Sequence, residues 1–147
     1  MGQDMVRFSA VLSLSMVMAF GAACSPTEAP VDVEYDGVES RPVMIGGDAD
    51  LDACSGLGQV KAGHTAVVRD APLDEAQEVA RLEPGTSVWI CDETDVPEGW
   101  SGVVYAGPGQ ANVCAAVATP SESRIPAPSD CAAGWVKTSQ DVELTAG

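Results

Sequence analysis

A small all-β barrel stapled by two disulfides is the fold this sequence predicts, and three observations predict it. From Cys54 onward the chain is made of short segments separated by Gly, Pro and Asp, the texture of short strands and tight turns. Four cysteines, Cys54, Cys91, Cys114 and Cys131, remain once Cys24 is assigned to another role, an even number suited to two cross-links. The 147 residues are a prior for one domain.

The clearest segment covers residues 85–105, GTSVWICDETDVPEGWSGVVY. It reads as a hairpin. Period-two alternation sets Val88 and Ile90 on one face and Trp89 and Cys91 on the other. On the return strand, placing Val103 inward also places Ser101 and Tyr105 inward, so Trp100, Gly102 and Val104 face out. Between the strands lie four acids, Asp92, Glu93, Asp95 and Glu98. They are numerous enough for a site, and such a cluster is also what a soluble hairpin tip looks like.

Upstream, residues 59–62 and 65–69 are candidate strands around the break at Ala62 and Gly63. Pro72 ends the second, since proline lacks a ladder donor. Residues 73–82 (LDEAQEVARL) fit a helix, or a loop followed by a short strand over residues 78–82. Pro84 and Gly85 turn the chain into the hairpin. Downstream, residues 106–133 form a low-complexity insert rich in Pro, Ser, Ala and Gly. The part bounded by Cys114 and Cys131 should be disordered unless pinned. Residues 134–137 and 142–144 supply a last strand and tail.

The N-terminus carries an address. Residues 8–23 are apolar without a charge and are preceded by Arg7, the pattern of a signal-peptide core rather than a spanning helix. Asp4 offsets Arg7, and a start at Met5 gives a cleaner positive leader. The junction Gly21-Ala22-Ala23-Cys24 resembles a bacterial lipoprotein cleavage box, with Gly21 where a Leu-like residue is usual. The resemblance implies a signal peptide over residues 1–23 and lipidation of Cys24, which anchors the protein to the membrane. Ser25 after it implies the outer membrane, facing the periplasm. Cleavage at Ala22 or Ala23 to give a soluble periplasmic protein is the alternative. Residues 24–53 are the lipidated end and a flexible acidic linker, and residues 54–147 the domain. Asp48, Asp50 and Asp52 alternate as a calcium loop begins, but Ala53 and Gln59 stand where Gly and Glu are needed.

The formal charge of −15 survives loss of the leader, which removes Asp4 and Arg7 together. So acidic a surface repels phosphate backbones, which excludes nucleic acid as a partner. In an oxidising compartment the four cysteines pair; the expected bonds are Cys54–Cys91 and Cys114–Cys131. Zinc is the competing reading, but no two cysteines have C-x₂₋₄-C spacing and His64 is the sole histidine. No metal and no cofactor are expected.

Five short motifs in order resemble a bacterial SH3 domain. They are Val67-Val68-Arg69, Leu82-Glu83-Pro84-Gly85-Thr86, Val88-Trp89-Ile90, Gly99-Trp100 and Gly134-Trp135-Val136. Arg69-Asp70-Ala71-Pro72 departs from the family's Arg-Ser-Gly-Pro. The resemblance implies an SH3-like barrel and a binding module. His64 after a turn is expected at the surface. Without a second histidine or a free thiol, nucleophilic catalysis lacks its base, so no enzyme activity is expected. Trp89, Trp100 and Trp135 fall on the outward face of three neighbouring strands, a candidate ligand-binding patch; cover of Trp100 and Trp135 by the insert or tail is the alternative. The expected function is non-catalytic binding of a peptide, peptidoglycan or an envelope protein, with the lipid anchor as the only membrane contact. The alternatives are a structural subunit of an envelope complex and a hydrolase.

Overall fold

The computed structural model describes residues 38–146. The expected signal peptide, Cys24 and residues 24–37 of the acidic linker lie outside the described residues. Among the described residues nine strands form in order: β1 (Met44–Ile45), β2 (Gly56–Val60), β3 (Ala66–Arg69), β4 (Glu78–Leu82), β5 (Ser87–Asp92), β6 (Ser101–Tyr105), β7 (Ile125–Pro126), β8 (Ala132–Val136) and β9 (Val142–Ala146). A 3₁₀ turn covers Ala115–Ala118, and one turn of helix, α1, covers Thr138–Asp141. Seven strands make one antiparallel sheet in the order β4-β3-β8-β6-β5-β2-β9, and β1 pairs with β7 as a separate ribbon. Of the two readings of residues 73–82, the loop and strand holds.

The inward side chains come from every strand of the large sheet. Val60, Val68, Leu82, Val88, Val103, Val136 and Val142 belong to one buried cluster, so the sheet curls around its own core. Ile90 and Tyr105 join it, as the alternation predicted. The curl does not close. β3 meets β8 through a single bridge, Arg69 to Trp135, and no pairing joins the end strands β4 and β9. The expected closed barrel is therefore corrected to an open, curled sheet. Its β4 edge bears the Glu78–Arg81 ion pair, and charge on an edge strand discourages pairing with another chain.

The outer face of β5, β6 and β8 carries a second layer. Residues 41–54, of which the sequence reading places 41–53 in the linker, cross this face. The insert lies over it as well. Ile45, Ala53, Cys54 and Val117 bury Val104 and half-bury Trp89. All five residues of β6 are consequently buried, on both faces. The insert is pinned by the disulfide Cys114–Cys131, while Cys54–Cys91 ties the N-terminal crossing to β5. Both pairings are those expected.

A bulge in β5 joins the two layers. The ladder runs from Ile90 opposite Val103 to Asp92 opposite Gly102, leaving Cys91 as the extra residue. A bulge of this kind lets two consecutive side chains serve the same side. Cys91 and Asp92 both meet the outer layer. Gly102 makes room, because a Cβ there would lie 2.8 Å from the Asp92 Cβ and 3.2 Å from the Trp135 ring.

Burial pushes the Tyr105 phenol above its ordinary value of 10.0, because the curled core disfavours the phenolate. The stability that the neutral phenol lends is complete below about pH 10 and is lost as pH rises through the folded-state value. Urea titrations from pH 8 to 11 should show this loss in the native protein, and a shallower loss in Tyr105→Phe.

Candidate functional site

The three tryptophans share the outer face, as the alternation placed them, yet they form no exposed patch. Trp135 is 0 % exposed and Trp100 7 %. The Trp135 indole N–H donates to the Arg41 carbonyl at 2.6 Å. The Arg41 guanidinium sits 4.9 Å from the same ring and donates to the Thr94 and Asp95 carbonyls. Trp100 lies under the Lys137 ammonium at 5.4 Å, and Lys137 is in turn bonded to Asp74 at 2.6 Å. Trp100 and Trp135 are covered, the alternative the sequence offers to an open patch, and the cover comes from Arg41, Val43, Val96 and Lys137 rather than from the insert or tail.

Asp92, assigned from sequence to the acidic tip, is a structural group. Its side chain is fully buried. It accepts from the Met44 N–H at 3.0 Å and the Thr94 N–H at 3.1 Å, and it pairs with Arg124 of the insert. His64 is exposed and faces Asp141 at 3.2 Å, on the surface as expected. Asp48 caps its own turn by accepting from the Asp50 N–H at 2.8 Å. Among the described residues no group of three or more His, Cys, Asp and Glu could hold a metal ion.

The open surface lies at one end of the curled core. There β2 reads Gly56-Leu57-Gly58 between β5 and β9. Gly58 lets β9 approach, since a Cβ would come within 2.5 Å of the Val142 side chain. Gly56 leaves bare backbone between Ile90 of β5 and the end of β9. The result is a depression of about 480 Å³ walled by Ile90, Glu93, Leu144 and Ala146. A second, of about 370 Å³, continues toward α1 along Trp100, Ser101, Thr138 and Val142. Ile90, Glu93 and Leu144 line both.

A hydrogen-bond chain fixes the polar wall of this groove. The buried Ser101 hydroxyl donates to the Glu93 carboxylate at 3.0 Å and meets the Thr138 hydroxyl at 2.7 Å. α1 is held against the hairpin by the Ser139 N–H donating to the Gly99 carbonyl at 3.3 Å. Glu93 is thereby presented as a fixed acceptor beside an apolar floor. No histidine lines the groove. Leu144 is 74 % exposed on an edge strand, an apolar side chain left for something other than the core.

Sequence reasoning missed this groove, since its walls come from β2, β5, β6, α1 and β9 and no local pattern joins them. The bare Gly-Leu-Gly of β2 next to an apolar final strand was the available signal. The chain matches no family model, no curated protein and no solved structure.

Leu144 and Ile90 should separate sharply by stability. Leu144→Ser should change the unfolding free energy by no more than about 0.5 kcal/mol, as for exposed sites generally. Ile90→Ala, deleting a core side chain, should cost about 2–5 kcal/mol; urea melts of the two variants check the pair.

Proposed function

We propose that the protein is a cell-envelope lipoprotein whose domain is a non-catalytic binding module for a peptide, cell-wall glycan or envelope protein. The observation that carries this reading is the groove at the open end of the core. It combines an apolar floor, an exposed Leu144 and a positioned carboxylate, the mixture of apolar surface and few convergent polar groups that binding sites use. Of the three tryptophans, Trp100 alone borders it.

An SH3-like fold is part of the proposal. Pairing of the first and last strands of the large sheet, β2 with β9, supports it. So does the meander β5-β6-β8 and the helical turn leading into the final strand. The motif residues Gly99 and Trp100 enter β6, and Gly134 to Val136 end β8. Export is supported by the two disulfides, which persist in oxidising compartments. Among the described residues no helix is long and apolar enough to cross a membrane. Anchoring in this reading falls to Cys24, on the periplasmic face of the outer membrane.

A photo-crosslinking amino acid placed at Leu144 should capture a partner in intact cells. The same probe at Asp130, exposed in the insert, serves as the comparison. Adducts at Leu144 and not at Asp130 are expected; equal capture at both, or none at Leu144, would count against the groove.

A further inference from the structure

We infer that the groove takes a linear protein segment in which a Lys or Arg lies beside an apolar side chain. This rests on the binding-module reading and narrows it to one class of ligand.

The inference comes from how the chain distributes its charges. The protein has 22 Asp and Glu against 7 Lys and Arg. Arg7 lies outside the described residues. Each of the other six cations is engaged within the fold. Arg41 is held by the Thr94 and Asp95 carbonyls, Lys61 by the Ser139 and Gln140 carbonyls, and Arg69 by the Ala76 carbonyl. Arg81 pairs with Glu78, Arg124 with Asp92, and Lys137 with Asp74. The cations are spent on structure, and the remaining surface charge is carboxylate. An approaching cationic segment gains from this field at long range, while an anionic one is repelled.

Glu93 combines two features. Its carboxylate is oriented by Ser101, itself fixed by Thr138, and no described cation pairs with it. It also stands where the two depressions meet, beside Ile90 and Leu144. A Lys or Arg at Glu93 therefore places its neighbouring side chains over apolar floor. The charge gives register and the floor gives area. Either alone would be weak: exposed ion pairs contribute little, and the floor is shallow.

Chemical-shift mapping of the ¹⁵N-labelled protein tests this. The probes are the acetylated, amidated pentapeptide Ala-Leu-Lys-Leu-Ala, its counterparts with Gln or Glu for Lys, and a soluble disaccharide-peptide fragment of peptidoglycan. Titrations at about 150 mM salt screen diffuse attraction. The Lys peptide is expected to move the Ile90, Glu93, Ser101 and Leu144 amides, with a Kd at least tenfold below that of the Gln peptide. Glu93→Gln, which keeps an acceptor for Ser101, should erase that tenfold difference. Equal binding of the Lys and Gln peptides at the groove would overturn the basic preference and leave the binding module standing. Movement by the peptidoglycan fragment alone would do the same. If no probe moved these amides, both readings would fall. Lys-peptide shifts scattered over the acidic surface, or unchanged in Glu93→Gln, would also overturn the inference.

Discussion

Beside the Cys54–Cys91 disulfide, a single buried carboxylate ties the two layers of this protein together. Removing a charged carboxylate from water costs several kcal/mol after relaxation, so it persists only where donors surround it. Asp92 has three: the Met44 amide of the N-terminal crossing, the Thr94 amide of the hairpin, and the Arg124 guanidinium of the insert. Each donor belongs to a different segment. The carboxylate therefore needs all three segments in place, and β1 and β7 are brought to a register in which Met44 meets Pro126 and Ile45 meets Ile125. Further ties, such as the Ala127 N–H to the Val43 carbonyl at 2.8 Å, follow from that placement.

This constraint decides which surface is available. With the outer layer in place, Trp135 and Val104 become core residues. The end of the curl stays open, where β2 offers glycines and β9 offers Leu144. The cations are used to fasten loops to loops, which leaves the outside acidic. Fold and surface chemistry are thus two results of one distribution of charge.

Much of the inner layer was legible in the sequence, because it is written as local alternation. Val88, Ile90, Val103 and Tyr105 fall where period two puts them, while four cysteines alone allow three pairings, of which Cys54–Cys91 with Cys114–Cys131 forms. The outer layer was not legible. Its strands β1 and β7 are two residues each, too short for any period, and their stability comes from partners far along the chain. The bulge at Cys91 shifts Asp92 out of the alternation, so a structural carboxylate looked like one more acid in a hairpin tip. Closure of the barrel was overestimated for a related reason: strand count is a local property, whereas closure depends on β4 and β9 meeting. The groove combines both difficulties, since its residues lie on five elements and only the Gly-Leu-Gly of β2 and Leu144 hint at it.

Native-state hydrogen exchange in Asp92→Ala reads the role of this carboxylate residue by residue. Loss of its charged hydrogen bonds should lower the protection of outer-layer amides such as Gly47 and Ala127 by about 100-fold. The Val103 and Val88 amides of the inner sheet should lose far less. Unchanged protection of the outer layer, or an equal loss in both layers, would contradict a structure in which Asp92 locks one layer onto the other.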